Sequence, residues 1–334
     1  KNIYKIKQTM KIGMIGIASK PSTALFSHNG GWTYTLKSIL ETQGNDVDIV
    51  INPIDIHDYD ALCINEGLNY KKGSWNFFGG MQEYSLEMLQ QLNKYQGKLY
   101  CFNEDICWDS LIKRKEIRDV YTSKDDFPRV KTMSTSYKTN KIIIGDSHSV
   151  SIYEPGYAIS RNDGATLYGS LKESGLLRKF NFDGYKDIVL YFGNIDIRFH
   201  IHRQGGLEAL DRLMKDYVYF IDTLIQKGCN ITVQGLLPIE DESRKIPGTG
   251  LYKDKPYYGS RQERNSYVDY FNFKMKEFSL YYEFNFRLWD LPIDGFDAPK
   301  FKCMEARQSV HLRPSYYLHK DKLINNAESV LRLL

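Results

Sequence analysis

Residues Lys141–Ser149 read KIIIGDSHS, and this stretch decides the fold. The run Ile142-Ile143-Ile144 is an apolar strand, and Gly145 turns the chain sharply at its end. That turn lifts Ser147 out at the strand's C-terminal edge, which is where open α/β sheets bind their ligands. A strand, a tight turn and an exposed hydroxyl is also how acyl-transfer enzymes present a nucleophile.

Working outward, strands and helices alternate. Upstream, Ile12–Ile17, Val47–Ile51, Asp60–Asn65 and Leu99–Phe102 read as strands. Helical stripes lie at Thr33–Thr42, closed by Gly44, and at Met81–Tyr95, closed by Gly97. Downstream, Ile188–Phe192 and Ile231–Leu236 are strands, and Leu207–Leu224 is a long helix closed by Gly228. Ser260-Arg261-Gln262-Glu263 is a capping box for a helix through Phe278, and a final helix spans Asp321–Leu333. Such alternation implies an α/β chain with parallel, doubly wound sheets. Thr122–Asn140 is polar, contains Pro128 and lacks periodicity, so it reads as a linker. The expected organisation is a Rossmann-like domain over 10–130, a linker over 131–140 and a second domain over 141–334.

With 334 residues, 42% hydrophobic and 26% charged, the chain has the composition of a globular protein. No apolar run approaches the roughly 20 residues that span a bilayer, so no membrane partner is expected. The first residues, KNIYKIKQT, lack the apolar core of a secretory signal, and Met10 is a candidate natural start. Five scattered cysteines argue for reduced thiols in a cytoplasm, and Cys101 and Cys107 are too far apart for a zinc-type CxxC pair. A net charge of +4 permits a polyanionic partner without demanding one. Neither a cofactor nor a metal is expected.

From Gly145 onward the chain resembles the SGNH, or GDSL-like, hydrolase superfamily, with four blocks in family order. They are Gly145-Asp146-Ser147-His148-Ser149, Arg161–Thr166, Phe192-Gly193-Asn194-Ile195-Asp196, and Ser309-Val310-His311-Leu312. The resemblance implies a flavodoxin-like domain with Ser147 as nucleophile and His311 as base. It also implies an oxyanion hole formed by the Ser147 N–H, the Gly164 N–H and the Asn194 amide. A serine hydroxyl needs such a base, and a tetrahedral intermediate needs convergent donors. The chain departs from the family pattern twice. Gln308 stands where the family has an aspartate three residues before the histidine, leaving Glu305, Asp294, Asp297 or a backbone carbonyl to orient His311. The third block reads G-N-I-D instead of G-x-N-D, so Asn194 or Asp196 is the functional partner.

Asp146, His148, Asn162, Asp196, Arg198 and His200 are the polar neighbours expected to contact substrate. Ile195–His202 alternates polar and apolar residues, which reads as an extended segment with one polar face. On that face Arg198 holds an anion or pairs internally with Asp196 or Asp187. His200 and His202 read as hydrogen-bonded or substrate-facing residues in preference to an H-x-H metal pair. The loop Arg244–Gly259, rich in glycine, proline and tyrosine, is a candidate lid or substrate surface.

In the first third, HDYDALCINEGLNY, NFFGG, LNKYQGKLY and FNEDI resemble the acceptor-side domain of phage DNA β-glucosyltransferases. The resemblance implies that Asp105 is a general base acting on a flipped, hydroxymethylated base in DNA. Read by itself, Asp105 also suits a cap for Trp108–Lys115, and Gly79-Gly80 suits either a ligand approach or a helix start. The nucleotide-sugar domain of those enzymes is not legible after residue 140. Together the two resemblances imply a serine esterase or acyl transferase acting on an acylated sugar or modified nucleotide, with DNA as a possible partner of the first domain and phage DNA modification as the setting. The alternatives are a base-modifying transferase working through Asp105, and an inactive binding protein for modified DNA or glycan.

Overall fold

The computed structural model describes residues 9–15, 28–50, 53–64, 91, 94–101, 130–132, 138–241, 258–297, 302–305 and 310–323. Residues up to Tyr137, together with Asp321–Leu334, group into one compact unit and Lys138–Lys320 into another. Each is built on a five-stranded sheet. Every strand pairing in both sheets is parallel.

The first unit contains β1 (Lys11–Ile15), α1 (His28–Thr42), β2 (Asp46–Ile49), β3 (Ala61–Ile64), β4 (Lys98–Cys101) and β5 (Val130–Thr132). Its strand order is β2-β1-β3-β4-β5. Ile12, Met14 and Ile15 of β1 are fully buried, as expected where a parallel strand is covered on both faces. β5 takes the first two residues of the linker expected over 131–140 into the sheet, where Val130 pairs with Leu99 and Thr132 with Cys101. Three residues are too few to display a period-two pattern, so this edge strand was hidden in a polar stretch. The helix expected over Met81–Tyr95, the Asn76–Gly80 stretch and Asp105 lie outside the described residues, apart from the end of that helix.

The second unit contains β6 (Lys141–Gly145), β7 (Ala158–Arg161), α2 (Leu167–Leu171), β8 (Asp187–Tyr191), α3 (Leu207–Ile225), β9 (Asn230–Gln234), α4 (Arg261–Tyr281) and β10 (Asn285–Arg287). Its order is β10-β9-β8-β6-β7, the same winding as the first sheet. In both, the first strand is central, the second lies on one side and the third on the other. This is the flavodoxin-like order, whose crevice opens where the winding reverses. In the second unit that point lies between β6 and β8, which pair from Lys141↔Asp187 to Gly145↔Tyr191.

The core follows from the strand sequences. Ile142, Ile143, Ile144, Ile188 and Leu190 are each at most 2% exposed. Burying each such side chain contributes about 1.5–3 kcal/mol. α3 buries Leu210, Met214, Tyr217, Ile221 and Leu224 along one stripe. α4 begins with the expected capping box: Ser260 accepts from the Glu263 N–H, and the Glu263 carboxylate accepts from the Ser260 N–H. The helix expected at Asp321–Leu333 lies outside the described residues beyond Leu323, and Lys320–Leu323 is helical.

Ile195–His202 is helical, which corrects the extended reading. A turn at Asn194–Asp196 leads into a π-helix at Ile197–Ile201 and a 3-10 turn at His202–Gln204. The alternation there is of chemistry and not of exposure, because Asp196 and Arg198 are as buried as Ile195, Ile197 and Phe199. Asp196 and Arg198 are bonded internally, so neither is turned toward water. Among the described residues, no helix is long and apolar enough to cross a membrane.

Candidate active site

The nucleophile turn forms for steric reasons. A side chain at Gly145 would place its Cβ 2.6 Å from the Tyr191 carbonyl and 2.8 Å from Ser149 Cβ. Glycine therefore lets β6 run against β8 up to its last residue. Asp146 then caps a 3-10 helix, Ser147–Ile152, its carboxylate accepting from the His148 N–H at 2.8 Å. Ser147 is its first residue and is 8% exposed.

His311 arrives from far along the chain. Its Nε2 lies 2.8 Å from Ser147 Oγ. Its Nδ1 lies 3.4 Å from Glu305 Oε1. Glu305 and His311 sit on opposite arms of a small hairpin, held by a Met304–Leu312 bridge and by the Glu305 N–H donating to the His311 carbonyl at 3.0 Å. Of the carboxylates weighed as orienting acids, Glu305 is the one beside the imidazole. Asp297 pairs with Arg261 instead, at 2.6 Å. Gln308 lies outside the described residues.

Burial holds the His311 pKa below the ordinary imidazole value; the nearby His148 and Arg161 act in the same direction, while the Glu305 bond and charge oppose it. The ring is therefore a neutral base near pH 7, with the Ser147 O–H directed at Nε2 and Nδ1–H at Glu305.

The expected oxyanion donors lie on the loops flanking this pair. Gly164 sits in the turn Asn162–Ala165 at φ 77°, a left-handed conformation natural to glycine. Its N–H donates to no acceptor among the described residues. Asn194 follows β8 directly after Gly193, is fully buried, and its amide meets no hydrogen-bond partner among the described residues, although the Tyr191 hydroxyl lies beside it. Ser147 and Asn194 thus follow the two strands that flank the reversal point.

Other expected substrate contacts are engaged within the protein. Asp196 accepts from the Leu167 N–H at 2.7 Å and the Tyr168 N–H at 3.0 Å, capping α2. Burial pushes its carboxyl up to about 7, against the pull of those two bonds. It therefore reads as a scaffold group, and Asn194 is the member of the pair left available. Asn162 Nδ2 donates to the Ser160 carbonyl at 2.9 Å, and its N–H donates to Gly145 O at 2.9 Å, tying β7 to the nucleophile turn. His200 Nδ1 accepts from Arg203 at 2.6 Å, and His202 Nδ1 faces the Tyr267 hydroxyl at 3.1 Å. Among the described residues, no cluster of three metal-ligating side chains forms.

Arg198 meets neither Asp196 nor Asp187 in an ion pair; its Nε donates to both carboxylate oxygens of Glu240, at 2.9 and 3.1 Å. Both side chains are 2% exposed. The pair joins the π-helix to the segment after β9. No sequence signal exposes it, because Glu240 lies 42 residues away. Breaking one half strands a buried charge, so Arg198→Met is expected to cost about 3–5 kcal/mol, with most of it recovered in Arg198→Met/Glu240→Leu. Urea unfolding of both variants measures this, and a double variant no more stable than the single one contradicts it.

No family model matches the chain, and no curated protein matches it. Among solved structures it is similar to BT4096, a gut microbial diltiazem-metabolizing enzyme, at 15% identity over 58% of this chain and 48% of that one, with a TM-score of 0.36. The chain therefore spans about half of that protein's length. It is also similar to an extracellular lipase from Streptomyces rimosus, at 15% identity over 57% of this chain and 100% of that one, TM-score 0.28. A phospholipase A1 from Streptomyces albidoflavus matches at 14% identity over 58% of this chain and 98% of that one, TM-score 0.27.

Proposed function

We propose that the second unit is a serine hydrolase or acyl transferase of the SGNH type, acting on an ester. The observation that carries this reading is the relay in which His311 Nε2 lies 2.8 Å from Ser147 Oγ while Glu305 lies 3.4 Å from Nδ1. In this reading His311 takes the Ser147 proton as Oγ attacks the ester carbonyl. The oxyanion forms against the Ser147 N–H, the Gly164 N–H and the Asn194 amide, groups whose loss typically lowers kcat by about 10²–10³ each. Collapse expels the alcohol, which takes the proton from His311 and leaves an acyl group on Ser147. Water, or a second hydroxyl in the transferase case, then attacks with His311 again as base.

The Glu305 carboxylate orients the ring and stabilises the imidazolium without itself accepting the proton. The Gly164 N–H and the buried Asn194 amide, for which the described residues supply no hydrogen-bond partner within reach apart from the Tyr191 hydroxyl beside Asn194, support the oxyanion assignment. That the acyl group sits on a sugar or a hypermodified base is supported by the resemblance of the first third alone.

A fluorophosphonate probe is expected to label the protein once, at Ser147, and to leave Ser147→Ala unlabelled. Intact-mass and peptide mass spectrometry read this directly. Equal absence of label in both proteins, with no hydrolysis of p-nitrophenyl acetate by either, would remove the hydrolase reading.

A further inference from the structure

His148 stands beside the nucleophile, yet the proposed mechanism assigns it no step. It is 1% exposed. Its Nδ1 lies 3.0 Å from Asp146 Oδ1, and its Nε2 lies 3.2 Å from the carbonyl oxygen of Val310. Val310 is the residue immediately before His311. One backbone turn therefore carries both the nucleophile and a hydrogen bond to the segment that delivers its base.

We infer that His148 is a positioning residue for the proposed acyl transfer, on which the inference rests: its imidazole, bonded to Asp146 at one nitrogen and to the Val310 carbonyl at the other, holds His311 in register with Ser147. A carboxylate oxygen and a backbone carbonyl only accept. Both bonds form together only when each ring nitrogen donates, and histidine is the side chain of this size with donors at two opposed ends. A glutamine in its place offers hydrogens from a single nitrogen and loses one contact.

The hairpin's own bonds cannot substitute for this one. Glu305 N–H to His311 O and Arg313 N–H to Cys303 O tie its two arms to each other. The His148 bond instead ties the hairpin to the nucleophile turn. His148 acts through His311: the two ring centroids are 5.0 Å apart, while Ser147 Oγ is bonded to His311. A displacement of about 1 Å at such a base is enough to lower turnover about 10²-fold.

Among the described residues, the charged and titratable groups acting on His311 are Glu305, His148 and Arg161; Glu305 favours its protonated form, whereas burial, His148 and Arg161 disfavour it. Removing His148 therefore raises the His311 pKa. The acid limb of kcat/KM then moves to higher pH, and the crystal comparison separates this from a loosened, wetter site, which would move the limb the same way.

The test compares wild type with His148→Gln on p-nitrophenyl acetate, alongside thermal melting and a crystal structure of each. The expected result is a kcat lowered about 10- to 100-fold with KM nearly unchanged, an acid limb moved up, and His311 Nε2 out of hydrogen-bond reach of Ser147. An unchanged kcat and limb, or a variant crystal with the Ser147–His311 bond intact, overturns it. If wild type itself proves inactive and unlabelled, the hydrolase reading fails, and the crystal comparison still decides the positioning role. Should His148→Gln not fold, Asp146→Asn/His148→Phe keeps the ring volume and removes the carboxylate left without its partner, and the same outcomes apply. Failure of both to fold marks His148 as scaffold and overturns the inference.

Discussion

His311→Ala is expected to lower kcat/KM for p-nitrophenyl acetate by about 10⁴ or more, and combining it with Ser147→Ala is expected to cost almost nothing further. The argument is one of shared function. Ser147 Oγ has a single proton to lose, and His311 Nε2 at 2.8 Å is its acceptor. Without the imidazole the hydroxyl stays protonated, and without the hydroxyl the imidazole has nothing to activate. The two residues act as one unit, so their losses do not add. What remains in either variant is the contribution of oxyanion donors and substrate binding. Steady-state kinetics on the two single variants and the double variant close the cycle, with the stability of each checked by melting. Losses that multiply would show that His311 and Ser147 contribute separately, and the relay would then be wrong.

The distinction between single and paired roles also explains what the sequence revealed. KIIIGDSHS was readable because a buried parallel strand is continuously apolar and a nucleophile turn needs glycine at a fixed place. The chain confirms both demands, with Ile142–Ile144 buried and no room for a Cβ at Gly145. Long elements with regular stripes, α3 and α4, were equally legible. Three short strands were missed or absorbed into loops, because β5, β7 and β10 offer three or four residues each and no period to detect.

Buried charge misled most. Asp196 and Arg198 look like a polar face in one dimension, but they are a helix cap and half of an ion pair whose other member is remote. Local pattern carries no record of such partners. Glu305 shows the same limit from the other side. Its sequence distance from His311 differs from the three-residue spacing of the superfamily the chain resembles, and the pairing of the two arms, through the Met304–Leu312 bridge and the Glu305 N–H bond to the His311 carbonyl, brings the two side chains together. Asp105, read from the first-third resemblance, lies outside the described residues.

The sequence left Glu305, Asp294, Asp297 or a backbone carbonyl open to orient His311, Glu305 is the one found at Nδ1, and Glu305→Gln carries the second large expected effect. A fully buried triad aspartate replaced by its amide costs about 10⁴ in kcat. Glu305 is only partly buried, with 18% of its side chain exposed, and it sits 3.4 Å from Nδ1. Water screens part of its charge, so a smaller loss, about 10- to 10³-fold in kcat, is expected; that corresponds to about 1.4–4 kcal/mol of transition-state stabilisation. The pH profile supplies the sharper test. Glu305 raises the His311 pKa through its hydrogen bond and its charge, in opposition to burial. Its removal leaves burial, His148 and Arg161 acting in one direction, so the His311 pKa falls further. The acid limb of kcat/KM then moves to lower pH while the plateau drops, and the deficit is smallest at low pH, where the variant keeps more of its histidine as free base. His148→Gln is expected to move the same limb the opposite way. Two variants with lowered plateaus and oppositely displaced limbs would identify His311 as the group being titrated, because both act on it with opposite sign. A Glu305→Gln enzyme with an unmoved limb and an undiminished plateau would instead mean that another group orients the imidazole.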